Sequence, residues 1–238
     1  MAKVAEYFSI PLMILVSISY ICTMPLFYIQ STKSSGIFAV WDNTESNTYF
    51  EDRLRLNSDE VEQLKDFSER KRLEWLSSRY LLHIMTGAKS RTICTKDEYG
   101  KPVLINSEYH ISLSHSVNRT AVIASKHSVG IDIQQVVSKI GRIARKFCNE
   151  VEQNHIPIDD NQALLYYHII WGAKECIYKS YGKRKVDFRG HMSISKVSNN
   201  LTSGTAIGRI EINGFEALYN IEYRLMEDYM IVTSVEIE

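Results

Sequence analysis

A chain of 238 residues, 45% hydrophobic and 24% charged, has the material for one large or two small globular domains with a substantial core. Its formal net charge is zero, so no global field argues for nucleic acid or an anionic membrane as partner. The four cysteines (Cys22, Cys94, Cys148, Cys176) show no CxxC spacing and no nearby His pair, which argues against zinc and a disulfide framework and for a reducing, cytoplasmic compartment.

Between Glu6 and Lys33 the chain carries no charge, and PLMILVSISYICTMPLF is strongly apolar. Pro11 and Pro25 interrupt this stretch, and Ser17, Ser19 and Thr23 dilute it. Residues 1–23 therefore read as an extension upstream of a domain starting at Met24, with a membrane-tethered or signal-like segment as the alternative. PLFYIQ (25–30) and GIFAVW (36–41) read as a hairpin joined through SSG. A polar loop follows, and then a long helical pattern from about Ser58 to Met85, closed by Gly87. Leu73, Leu76, Tyr80 and Ile84 fall near helical spacing, and Arg72 and Arg79 lie one heptad apart on another face.

Gly100 and Pro102 place Lys101 on a tight turn before a strand at 103–106. ISLSHSVNRTAVIAS reads as two strands, 111–114 and 120–125, around a turn bearing His115. Ser114, His115 and Ser116 there suit either an anion or ordinary loop hydrogen bonds. VGIDIQ (129–134) reads as a strand ending on Asp132. Residues 138–155 read as an amphipathic basic helix with Ile140, Ile143, Ala144 and Phe147 on one side. A helix from about Gln162 to Tyr181 follows, capped by Gly182. The tail from His191 alternates as three or four antiparallel strands. The basic groups at 70–72, 142–146 and 179–185 suit a small polyanion or an acidic protein surface, or are solvated helix faces.

Trp171, Glu175 and Lys179 recur every fourth residue and so share one face of their helix. Glu175 and Lys179 alone are an ordinary i,i+4 ion pair. Joined by Asp132 from a strand, they make a different site: two carboxylates suit one hard cation such as Mg²⁺, and the lysine suits phosphate. The order strand, helix, strands occurs twice, which suggests two similar halves packed side by side.

GKP (100–102), SLSHS (112–116), GIDIQ (130–134) and WGAKECIYK (171–179), in this order and spacing, resemble the 4′-phosphopantetheinyl transferase superfamily, in its two-halved surfactin-synthetase-type branch. The resemblance implies an α+β fold of two similar α/β halves related by pseudo-two-fold symmetry. Each half would be a small, mainly antiparallel sheet packed with a long helix, over residues 24–127 and 128–238. It implies a monomer that moves the phosphopantetheine arm of coenzyme A to a serine of an apo acyl or peptidyl carrier protein, as holo-carrier-protein synthases do. Under it, Asp132 and Glu175 hold Mg²⁺, Glu175 takes the serine proton, and Lys179 neutralises phosphate charge as 3′,5′-ADP leaves. Lys101, Ser114, His115, Arg79 and Lys174 grip coenzyme A, His115 at its 3′-phosphate. Many members carry a second acid where Gln134 stands, so Gln134 is a poor metal ligand, acting through water. The alternative is a coenzyme A-binding regulatory member of the same fold.

Overall fold

The structure is a computed structural model that describes residues 26–86 and 91–237. The expectations for residues 1–23, for a start at Met24 and for Gly87 lie outside the described residues. Two antiparallel sheets carry the molecule. The first, in the order β1-β2-β6-β5, is built from β1 (Leu26–Ser31), β2 (Gly36–Asp42), β5 (His110–Ser116) and β6 (Arg119–Ser125). The second, in the order β7-β11-β10-β9-β8, contains β7 (Val129–Gln135), β8 (Met192–Ser195), β9 (Ser203–Ile212), β10 (Phe215–Met226) and β11 (Tyr229–Ile237). A small hairpin, β3 (Cys94–Lys96) and β4 (Pro102–Leu104), turns at Gly100 and presents Lys101. Against these sheets lie α1 (Asn47–Leu54), α2 (Ser58–Leu64), α3 (Glu69–Thr86), α4 (Ala144–Phe147), α5 (Glu150–Gln153) and α6 (Asp160–Tyr181). The fold is thus mixed α+β, with antiparallel sheets and long helices. Among the described residues, no helix is long and apolar enough to cross a membrane.

Side-chain alternation along the strands sorts the core into layers. Ala39, Trp41, Ile111 and Val122 pack with Trp75, Leu76, Leu81 and Leu82 of α3. Phe38, Val40, Ala121 and Ile123 face the other way, onto Val129, Ile131 and Ile133 of β7 and Tyr229, Ile231 and Val235 of β11. The opposite face of the second sheet buries Ile169, Ile170, Ala173, Cys176 and Ile177 of α6. Each buried isoleucine there contributes about 1.5–3 kcal/mol.

Two expected long helices are broken. The 58–85 pattern divides at residues 65–68, where the Ser68 hydroxyl accepts from Lys71 N and restarts the helix as an N-cap. Residues 138–155 form a 3-10 turn (Ser138–Ile143) followed by α4 and α5. A capping box of Asn149 and Glu152 begins α5 afresh, and Ile143 is exposed rather than packed with Ile140, Ala144 and Phe147. His115 also departs from expectation: β5 runs through to Ser116, so His115 sits in a strand and the turn falls at Val117–Asn118.

Where the two sheets meet, β5 and β7 run parallel without a backbone ladder. The hydroxyls of Ser112, Ser114 and Ser116 accept from the amides of Ile131, Ile133 and Gln135 at 3.1, 3.2 and 3.2 Å. A serine at every second position matches the strand period, so each hydroxyl meets an outward-facing amide of the β7 edge. Ser112→Ala is expected to leave the Ile131 N–H buried and unpaired. The loss, about 1–3 kcal/mol, should appear in a urea midpoint.

Candidate active site

α6 begins at an Asp159 cap whose carboxylate accepts from Gln162 N, and ends at Gly182, which has a left-handed φ of 75°. It lies so close to β7 that a Cβ at Gly130 would stand 1.9 Å from the Cys176 carbonyl oxygen. That contact brings the helix face of Glu175 and Lys179 onto Asp132, which the pleat turns toward α6 while Ile131 and Ile133 face the other sheet. Asp132 is therefore a buried, mid-strand residue rather than the exposed end of its strand.

Lys179 turns away from Glu175 and toward Asp132. Its Nζ donates to Asp132 Oδ1 at 2.9 Å, to the Ile131 carbonyl at 2.8 Å and to Ser114 Oγ at 3.1 Å. The ordinary i,i+4 pair is thus not formed. Burial alone would lower the Lys179 pKa, but the Asp132 charge and hydrogen bond outweigh it and leave it raised. Asp132 Oδ1 also accepts from Ser114 Oγ, and Oδ2 accepts from Gln134 Nε2 at 3.2 Å.

The Glu175 carboxylate makes no hydrogen bond or ion pair among the described residues. Burial pushes its pKa up and the like charge of Asp132 adds to the rise, with Lys179 opposing. An unpartnered carboxylate beside a second one fits a hard divalent cation. Among the described residues no group of three or more His, Cys, Asp or Glu side chains could hold a metal ion, so the protein would offer a cation these two acids at most.

A raised folded-state pKa means that ionising Glu175 is harder in the folded than in the unfolded chain. The penalty is absent below the unfolded pKa and is full once pH passes the folded one. Glu175→Gln is therefore expected to raise the thermal midpoint of the cation-free protein at neutral pH. The gain should vanish at about pH 3.5, where the carboxyl is protonated in both states.

The other expected ligand-binding residues divide. Lys101 reaches across from the β3–β4 hairpin, and its Nζ donates to the Ser180 carbonyl at the end of α6. With Ser112, Tyr178 and Lys179 it lines a cavity of about 190 Å³, so two cations share one pocket. Ser114 has no capacity left for an anion, because its hydroxyl serves Asp132, Lys179 and Ile133. His115 faces α3, where Nε2 lies 2.9 Å from the Glu74 carbonyl, and burial lowers its pKa. Arg79 is buried over the Trp75 ring and donates to Ser78 Oγ, away from the two acids.

Lys174 does not reach the site. It lies on the opposite side of α6, fully buried, donating to the Phe147 carbonyl (2.7 Å), Glu152 Oε2 (2.7 Å) and the Phe188 carbonyl (2.9 Å). Gln134 presents its amide nitrogen to Asp132 and so supplies no oxygen there. The sequence reading missed His168, which is 1% exposed and bonded to Gln134; a lone histidine on an apolar helix face carries no signal of such a role. It also missed the serine ladder, which the every-second-residue spacing of SLSHS would have revealed.

With the two acids and the lysine gathered between β7 and α6, the comparisons with known proteins agree on a class. Residues 128–232 match the model of the 4′-phosphopantetheinyl transferase superfamily. Over 111 residues the chain is 30% identical to the 4′-phosphopantetheinyl transferase gsp of Aneurinibacillus migulanus. That alignment covers 46% of this chain and 46% of the relative, so it spans less than half the length of either.

Proposed function

We propose that the chain transfers the 4′-phosphopantetheine arm of coenzyme A to a serine of an apo acyl or peptidyl carrier protein, with Mg²⁺. The observation that carries this reading is the Lys179–Asp132 pair at 2.9 Å beside an unpaired Glu175 whose pKa is raised. Asp132 and Glu175 would hold the cation, which when bound supplies charge neutralisation on the pyrophosphate.

The chain's own groups do the rest. Lys179 and Lys101 line one pocket and give it the positive charge that a phosphate needs. The carrier serine oxygen forms a new bond to the phosphorus bearing pantetheine, and the bond from that phosphorus to the oxygen of 3′,5′-ADP breaks. The serine proton passes to Glu175, the carboxylate of the site that no described side chain engages. Such a displacement asks for positioning and electrostatic relief more than covalent chemistry. His115, neutral in the free protein, would act at the 3′-phosphate by becoming charged beside it. In this reading the chain acts as a monomer, with residues 24–127 and 128–238 as its two halves. The buried free thiols Cys94, Cys148 and Cys176 suit a reducing, cytoplasmic setting.

The test is incubation of the full chain with coenzyme A, Mg²⁺ and a panel of apo carrier proteins, read by intact mass. One phosphopantetheine gained on the serine-bearing carrier, dependent on Mg²⁺, is the expected result. Binding of coenzyme A without any mass gain across the panel would overturn it.

A further inference from the structure

Gln134 sits in a slot on α6 that exists because residue 172 is glycine: a Cβ there would come 2.8 Å from Gln134 Nε2. From this slot a chain of hydrogen bonds runs with a single polarity. The Val137 backbone N–H can only donate, and it meets His168 Nε2 at 3.0 Å. The same Nε2 lies 3.3 Å from the Val137 carbonyl, but the amide contact is the shorter, which assigns the imidazole proton to Nδ1, 2.7 Å from Gln134 Oε1. With its oxygen so engaged, Gln134 turns its nitrogen outward, to the His168 carbonyl at 3.0 Å and to Asp132 Oδ2 at 3.2 Å. An ionised carboxylate can only accept, so the last link agrees with the first. Turning the amide over would place Oε1 against Asp132 and face a nitrogen with the Nδ1–H.

We propose that His168 is a positioning residue of the Asp132–Glu175 site that acts through Gln134. It fixes the amide with its nitrogen toward Asp132, so that Gln134 steers the carboxylate and offers the cation no oxygen. Lys179 and Ser114 on Oδ1 and Gln134 on Oδ2 then hold the plane of Asp132 from both sides. The cation receives two carboxylates from the protein and draws its remaining ligands from water and substrate. A residue that orients a ligand without touching the cation typically changes activity by about 10–100-fold when lost. This inference rests on the cation assigned under Proposed function, and its test separates the two.

In the unsubstituted full chain, long-range ¹H–¹⁵N correlation should show His168 as the Nδ1–H tautomer; the Nε2–H tautomer would overturn the proposal without any variant. Titration with Mn²⁺ should give Gln134→Glu, which adds a charged oxygen, about tenfold tighter binding than wild type, and unchanged or weaker binding would count against an amide that offers the cation no oxygen. His168→Phe should speed exchange of the Gln134 side-chain amide protons and lower kcat about tenfold with KM for coenzyme A unchanged. His168→Asn, whose amide nitrogen overlays Nδ1, should restore both. Equal losses in the two His168 variants would make the residue merely structural. Failure of wild type to bind Mn²⁺ would sink the cation of the proposed function, while the tautomer and exchange would still decide the orientation of Gln134.

Discussion

Asp132→Asn is expected to lower kcat/KM for carrier modification by about 10³-fold, a loss of the size seen when one preorganised electrostatic group is removed from a site that stabilises developing charge. Asparagine keeps the shape of the side chain and an oxygen for Ser114 and Lys179, so the fold and the serine ladder should survive. What is lost is the charge, and the charge has two tasks. In the free protein it pairs with Lys179 at 2.9 Å and holds that ammonium, with its pKa raised, at the rim of the pocket shared with Lys101. In the proposed reaction it holds the cation with Glu175. Because Asp132 is also a like charge that raises the Glu175 pKa, its neutralisation should let that pKa fall. The acid limb of any residual activity would then move to lower pH. Full transfer by Asp132→Asn at saturating Mg²⁺, measured as holo-carrier by intact mass, would refute the site.

The elements that carry the site were the ones most visible in the sequence. GIDIQ forms β7, and the pattern ending in WGAKECIYK forms a 22-residue helix capped by Gly182, because local propensity, periodicity and capping agree there. The alternating tail likewise gives β8 to β11, and GIFAVW pairs with the strand before it. Elsewhere a local competitor won. Ser68 and the Asn149–Glu152 capping box restart helices inside patterns whose apolar spacing alone reads as continuous, since a side chain can satisfy a backbone amide as well as the next turn does. Within the site, spacing identified which residues share a helix face but not which partner each one chooses. Lys179 prefers Asp132 to Glu175, because the strand carboxylate is buried against it and the helical one is not turned to it. The role of Lys174 was legible in principle. It lies next to Glu175 in sequence and so about 100° around the helix, on the side of Ile170 and Ile177, which are fully buried. A lysine on an apolar stripe is a buried ion pair before it is a ligand.

That buried pair sets the second large effect. Lys174→Ala is expected to destabilise the protein by about 3–5 kcal/mol, because it leaves the Glu152 carboxylate buried without its counter-charge. Both side chains are 0% exposed, and each does more than pair with the other. Lys174 ties α6 to the carbonyls of Phe147 and Phe188, while Glu152 accepts from Asn149 N at the start of α5 and from Ile194 N in β8. Removing the lysine therefore loosens the packing of α6 against α4, α5 and β8 from the side opposite the site. Burial lowers the Lys174 pKa, with the Glu152 charge opposing, so the ammonium is held against a desolvation penalty that an apolar side chain would not incur. Lys174→Met with Glu152→Gln removes both charges together and should recover most of the loss, whereas either single change should not. Denaturant unfolding of the two single variants and the double variant measures the coupling directly. If Lys174 instead touched coenzyme A, Lys174→Ala would raise KM and leave the unfolding midpoint in place.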